Sequence, residues 1–282
     1  MTFIPELGGL ATSLQLLDTQ RNPQELLFLP KSFEPKKYKG VSCGWPFCFP
    51  VCGRLQRDGK KGVYLYEGKR YKLPELHGFA QHEPWQVLDH SQDRISLRLI
   101  DNERTREQYP FAFELVLSYH INDHELRCEM AVVNRDEKPM PYYAGFHPYF
   151  LVEGDKQKAF IEFEGKSGWQ YNKGLTDIVG ERSLFETPIA ITAEAVNESL
   201  TELAEDKTIR LSLPNGQRLE MSVIGRDNPN LFRFLQLYHR PDEPFFCVEP
   251  WMSYPNAINS VEGARWLGPG ETDRAVLELA FA

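Results

Sequence analysis

The sequence predicts an all-β protein, built as a large antiparallel β-sandwich. Three observations lead there: period-two alternation recurs along the chain, long runs of period 3.6 are missing, and turn signals separate the short strand-like runs with no helices alternating between them. In chain order, Gly62 to Leu73 reads as two short strands about a Glu67-Gly68 turn. Ile95 to Ile100 alternates apolar and polar residues, as does Phe111 to Ile121. His124 to Asn134 continues the pattern after an Asn122-Asp123 turn, which predicts a long hairpin. The Pro-rich turn Lys138-Pro139-Met140-Pro141 precedes a strand containing Tyr149 and Phe150. Ala159 to Glu164, Gln217 to Ile224, Phe232 to His239, Phe245 to Val248 and Arg274 to Phe281 complete the strand set, with Pro214-Asn215-Gly216 as a turn between two of them. Glu198 to Glu205 is the stretch expected to form a short helix or a loop. The 20 Gly and 20 Pro are spread without clustering as a linker, and no repeat is visible, so residues 1–282 are expected to form one domain.

Charge narrows the partners. The 32 Lys and Arg face 40 Asp and Glu, a net charge of −8, whereas nucleic acid and anionic membranes require a basic face. No run approaches the length of a membrane span, and the first residues show no basic stretch followed by an apolar one, so no membrane and no secretory route are expected. Five cysteines (43, 48, 52, 128 and 247) contain no CxxC pair, and an odd number suits a reducing, cytoplasmic setting. Cys43, Cys48 and Cys52 lack a fourth ligand of zinc-like spacing and read as thiols packed as small apolar groups. The seven histidines include no H-x-H, which argues against a cupin-type metal centre.

Two segments each set one titratable group among aromatic and apolar neighbours: Gly145-Phe146-His147-Pro148-Tyr149-Phe150 and Phe246-Cys247-Val248-Glu249-Pro250-Trp251. Histidine exchanges protons near neutral pH, and a carboxylate at the end of an apolar run is desolvated and made more basic. Pro148 holds His147 toward an extended backbone. Trp251 offers an apolar face suited to stacking on a ring. Three further segments are Phe49-Pro50-Val51-Cys52-Gly53-Arg54-Leu55, Leu76-His77-Gly78-Phe79-Ala80-Gln81 and Leu267-Gly268-Pro269-Gly270-Glu271-Thr272.

Together these segments resemble the galactose mutarotase-like family, which comprises the aldose 1-epimerases and related hexose-phosphate 1-epimerases. From Phe49 to Ala282 the resemblance implies a single-domain supersandwich without metal or organic cofactor. It implies His147 and Glu249 as catalytic acid and base, and Arg54, His77, Gln81 and Trp251 as substrate-binding residues. Gln81 stands where the phosphate-using branch carries an arginine, which favours free aldoses over sugar phosphates. The family's substrate-binding aspartate has no counterpart in a matching motif. Ala193 to Glu205 offers only Glu194, Glu198, Glu202 and Glu205.

The function expected from this reading is interconversion of hexose anomers by acid/base ring opening. Hexose 6-phosphate epimerisation and non-catalytic sugar binding on the same fold are the alternatives. A glycoside hydrolase would need two carboxylates about the scissile bond, and only Glu249 stands in a family-like context. The expected partner is a small sugar or sugar phosphate, with the protein a monomer or weak dimer. Arg57, Lys60, Lys61 and Arg70 read as a solvated face. His77, His147 and Glu249 are expected to share one cleft, with Arg54 on its wall.

Overall fold

The Phe113–Ile121 and Glu125–Asn134 strands pair antiparallel in unbroken register from Phe113 opposite Asn134 to Ile121 opposite Leu126. Asn122 closes the turn, its Oδ1 accepting from the His124 and Glu125 N–H groups at 2.9 Å each. This hairpin lies in a nine-stranded antiparallel sheet of a computed structural model that describes residues 1–40, 42–260 and 263–282. The sheet runs from the edge strand Gln86–His90 through Arg94–Ile100, the hairpin, Thr272–Phe281, Arg218–Gly225 and Ile209–Ser212 to Phe160–Phe163 and Ile189–Ala190. Along it, Leu115, Leu117, Leu126, Met130 and Leu277 turn to one face and are buried.

An eight-stranded sheet faces the same core. Its path is Ile178–Arg182, Gly165–Tyr171, Ser199–Leu203, Phe234–Tyr238, Phe245–Trp251, Gly145–Phe146 and Phe47–Cys48, with Tyr149–Leu151 also pairing to Phe245–Trp251. Leu200, Leu235, Phe246 and Val248 from this sheet join the core residues of the first in one hydrophobic cluster. The fold is thus the large antiparallel sandwich. All five cysteines are buried and unbridged. No helix among the described residues is long and apolar enough to cross a membrane.

Three elements differ from expectation. Ser199–Leu203 is a strand, neither helix nor loop, between Gly165–Tyr171 and Phe234–Tyr238. Four of its five residues are buried, so both faces are covered and no alternation marks it in the sequence. Phe245–Trp251 runs past Val248 through Pro250, with all seven residues buried. A short helix, Glu103–Gln108, was not foreseen; Asn102 caps it by accepting from the Thr105 N–H at 3.0 Å, while Thr105 Oγ1 accepts from the Asn102 N–H at 2.8 Å.

One buried polar junction fastens the last strand. Asp273 accepts from Tyr142 Oη at 2.7 Å, Arg265 Nε at 2.8 Å and Arg265 Nη2 at 3.0 Å, tying Met140–Tyr142 and Arg265–Leu267 to Thr272–Phe281. Asp273→Ala leaves a half-buried guanidinium and a buried phenol without their acceptor and is expected to destabilise the fold by about 3 kcal/mol. Urea denaturation of the purified variant measures it; a loss below about 0.5 kcal/mol, as at ordinary surface sites, would refute this role.

Candidate active site

The Phe245–Trp251 strand divides its side chains between two environments, as a strand must. Phe246 and Val248 enter the core between the sheets, while Phe245 and Cys247 pack outside it with Phe28, Cys43 and Tyr149. Glu249 follows on that outer face, while Trp251 packs with the main core cluster and lines the cleft. The neighbouring strands place Gln236 opposite Glu249 and Tyr149 opposite Cys247. Gly145 lies opposite Trp251, and a Cβ there would stand 2.6 Å from Trp251 Cδ1; only glycine admits the indole.

His147 occupies the break between Gly145–Phe146 and Tyr149–Leu151, its N–H donating to the Pro46 carbonyl at 3.2 Å. The imidazole stacks on the Tyr149 ring at 4.9 Å and meets the His77 ring edge-on at 5.0 Å. His77 has a left-handed backbone, φ +61°, and its Nδ1 accepts from the Gly53 N–H at 3.0 Å. That bond places the His77 proton on Nε2. Gly53 is itself left-handed, φ +75°, and presses on Pro255, where a Cβ would come within 2.7 Å.

His77, His147, Glu249, Arg54 and Trp251 line one cleft of about 180 Å³. Its size suits a single small ring. His147 Nε2 lies 3.2 Å from Glu249 Oε2, with both side chains nearly inaccessible at 4% and 1% exposure. Among the described residues, His147 Nδ1, Glu249 Oε2 and Trp251 Nε1 are buried with no hydrogen-bond partner.

Burial sets the electrostatics. Desolvation drives the His147 imidazole down to about 3 and the His77 imidazole well below its usual range, the latter helped by His147 and Arg54 nearby. Desolvation pushes the Glu249 carboxyl well above the usual range, and the Glu198 carboxylate adds to the rise while the Trp251 indole opposes it. The His147–Glu249 pair therefore tends to hold one proton, on the carboxyl, with both groups neutral.

The cleft also contains residues that sequence motifs did not reveal. Glu198 lines it with a left-handed backbone, φ +52°, and accepts from Gln236 Nε2 at 3.2 Å; Tyr171 Oη donates to Gln236 Oε1 at 2.7 Å. Glu198 was one of four glutamates in its segment, and only burial and neighbours single it out: desolvation raises its carboxyl and Arg54 counteracts. The cleft thus contains two carboxylates, where the motifs pointed to one. Tyr238, Arg240 and Leu175 also line it. Gln81 does not. It follows the left-handed turn at His77 and Gly78, within the 3₁₀ turn Ala80–His82, and its amide donates to the Leu76 carbonyl at 3.2 Å.

His147, Cys247 and Glu249 are a possible metal-ligand group among the described residues, their ligand atoms lying within 4.8 Å of one another. Burial, with the Glu249 and Glu198 carboxylates, pushes the Cys247 thiol well up. Arg57, Lys61 and Arg70 stand off the cleft: Arg57 Nη1 donates to Asn259 at 3.4 Å, Lys61 pairs with Glu75 at 2.6 Å and Arg70 with Asp58 at 2.8 Å.

The raised Glu249 carboxyl has a consequence for stability. The unfolded chain releases this proton at lower pH than the folded protein, so the carboxyl's contribution to stability is lost as pH rises from the ordinary carboxylate range through the raised value. Glu249→Gln removes that loss. Its Tm should match wild type near about pH 4 and exceed it increasingly toward about pH 8, read by thermal unfolding at each pH. A gap independent of pH would contradict the raised carboxyl.

A sequence model of the aldose 1-epimerase family matches residues 1–280. The match begins at residue 1, whereas sequence motifs carried the resemblance only from Phe49. Protein LacX (chromosomal) of Lactococcus lactis subsp. lactis is 27% identical over 271 residues, covering 89% of this chain and 84% of that protein. The crystal structure of Slr1438 from Synechocystis sp. PCC 6803 superposes with a TM-score of 0.81 at 28% identity, covering 99% of this chain and 90% of that one. A galactose mutarotase related enzyme from Lactobacillus acidophilus shares the fold at a TM-score of 0.80 and 23% identity, over 98% and 92% of the two chains. The sandwich, the cleft and this full-length match agree, and the chain belongs to the aldose 1-epimerase family.

Proposed function

We propose that this protein interconverts the α and β anomers of a hexose, with Glu249 as base and His147 as acid. The observation that carries the reading is the buried pair itself: His147 Nε2 and Glu249 Oε2 stand 3.2 Å apart, with Oε2 accepting no hydrogen bond among the described residues. The anomeric hydroxyl and the ring oxygen are bonded to the same carbon, so two proton carriers this close reach both.

In the opening step the anomeric O–H gives its proton to Glu249 while the imidazolium of His147 protonates the ring oxygen. The C1–O5 bond breaks as the electrons of the former O–H bond form the carbonyl. Rotation about C1–C2 presents the other face, and the two groups exchange roles on closure. The pair begins and ends with one shared proton, so no external acid or base is consumed. The ion-paired form needed for opening is disfavoured in the empty cleft by burial, and hydroxyls of a bound sugar supply the hydrogen bonds it lacks. The neutral His77 Nε2–H and the Arg54 guanidinium donate to hydroxyls, Glu198 accepts from them in the place of the family's aspartate, and Trp251 forms an apolar wall.

Each single variant, Glu249→Gln and His147→Asn, is expected to lower kcat by on the order of 10²-fold or more, while sugar binding changes less. The double variant should be scarcely slower than the poorer single one, because acid and base act as a unit. NMR exchange between anomers of glucose and galactose measures the rate. If wild type binds these sugars yet does not hasten exchange above the buffer rate, the non-catalytic binding alternative stands instead. Because the cleft has two carboxylates, release of p-nitrophenol from aryl glycosides is a necessary control, and hydrolysis there would favour a glycosidase.

A further inference from the structure

Strand Gly165–Tyr171 passes to Ile178–Arg182 through a turn of residues 172–177, and that turn brings Leu175 to the lining of the cleft. Leu175 has a left-handed backbone, φ +54°, a conformation that is costly for a bulky side chain. It persists only where the surroundings enforce it. Tyr171 and Ile178, at the two ends of the turn, pack on the main hydrophobic cluster. Among the described residues Leu175 belongs to neither hydrophobic cluster. A half-buried leucine that is strained, away from the core and in the cleft wall serves the cleft and not the packing of the fold.

The group that enforces the turn is Asp177. Its Oδ2 accepts from Thr176 Oγ1 at 2.7 Å, Gln56 Nε2 at 2.9 Å and Asn172 Nδ2 at 3.0 Å, and its Oδ1 accepts from Asn256 Nδ2 at 2.7 Å. Asn172 Oδ1 accepts from the N–H groups of Gly174 and Thr176, at 3.1 and 3.0 Å, on either side of Leu175. Gln56 and Asn256 belong to segments tied to Arg54: Gln56 follows it closely in sequence, and the Asn256 N–H donates to the Arg54 carbonyl at 3.1 Å. Asn259 Nδ2 closes the knot on the carbonyls of Gln56 and Val63, at 3.0 Å each. Desolvation acts to raise the Asp177 carboxyl, but its donors outweigh it and hold the group below its usual range, a charged acceptor. The turn also borders a second cavity of about 280 Å³, lined in part by Arg54, Gln56, Asn172 and Thr176, so apolar packing alone does not fix it.

On the epimerase reading of this cleft, on which this inference rests, we propose that Leu175 is a substrate-binding residue and Asp177 the positioning residue that holds it in place. Leu175 gives the sugar ring an apolar contact in addition to the Trp251 wall. A pyranose presents C–H groups as well as hydroxyls, and covering them with an isobutyl group favours binding in proportion to the area removed from water. Proton transfer belongs to the His147–Glu249 pair, so the turn governs ground-state binding and hardly the chemical step.

Sugar affinity is measured by isothermal titration calorimetry with glucose and galactose, and anomer exchange by NMR, for wild type, Leu175→Gly and Asp177→Asn. Leu175→Gly removes the contact and suits the left-handed backbone, so Tm should stay or rise. Kd and KM for the better-bound sugar should rise about ten-fold, with kcat kept within about three-fold. Asp177→Asn turns an accepting oxygen into an amide donor that faces other donors, which frees the turn. Kd and KM should rise by a similar factor with kcat again nearly kept, and circular dichroism checks that the variant is folded. A purely structural role gives the opposite pattern: Leu175→Gly lowers Tm and sugar affinity is unchanged. Kd within about two-fold of wild type in either variant overturns the proposal and leaves the epimerase reading intact. If wild type binds a sugar without hastening its exchange, the epimerase reading fails alone, and the Kd ratios still decide the roles of Leu175 and Asp177. If wild type binds neither sugar, both fail.

Discussion

Exclusion of water from the His147–Glu249 contact governs the rest of the molecule. A carboxyl and an imidazole 3.2 Å apart would be an unremarkable ion pair in solvent. At 4% and 1% exposure, the charged form of each is penalised, and their pKa values move in opposite directions. A ligand with hydroxyls at both positions can return the missing hydrogen bonds.

The sandwich provides that dryness at small structural expense. The strand bearing Glu249 lies inside the eight-stranded sheet, with Phe234–Tyr238 on one side and Gly145–Phe146 and Tyr149–Leu151 on the other. Phe246 and Val248 anchor it in the common core, so the outward side chains inherit positions set by core packing. The break that holds His147 and the glycine that admits Trp251 belong to the adjacent strands. Loop residues then complete the walls, each with a left-handed backbone where the chain must turn inward: Gly53, His77 and Glu198. At the non-glycine residues His77 and Glu198 this conformation costs free energy and is retained where the surrounding packing enforces it.

Much of the fold was legible. The hairpin Phe113–Ile121 with Glu125–Asn134 alternates because one face meets the core and the other meets solvent, and alternation is what a sequence can display. Ser199–Leu203 was misread for the opposite reason: buried on nearly every side, it carries no period. The strand Phe245–Trp251 was cut short at Val248 because Glu249 and Pro250 resemble a terminus, although both are enclosed. The short helix Glu103–Gln108 rests on a capping box between Asn102 and Thr105 that lacks the usual glutamate.

The site divides along the same line. His147, Glu249, His77, Arg54 and Trp251 sit in compact motifs that are legible in sequence, and all five line the one cleft. Glu198 was one of four equivalent glutamates until tertiary packing placed it beside Gln236 and Arg54. Gln81 showed the reverse, a motif position that does not line the cleft. Arg240 belongs to no motif, and only the fold brings it to the lining of the cleft, where its Nε donates to Tyr238 Oη. By itself the sequence determined the strands that alternate and the residues whose chemistry is written in adjacent letters. Tertiary structure alone decided which polar groups are dry and which face one another, because burial and distance between segments are properties of packing and leave no local period to read.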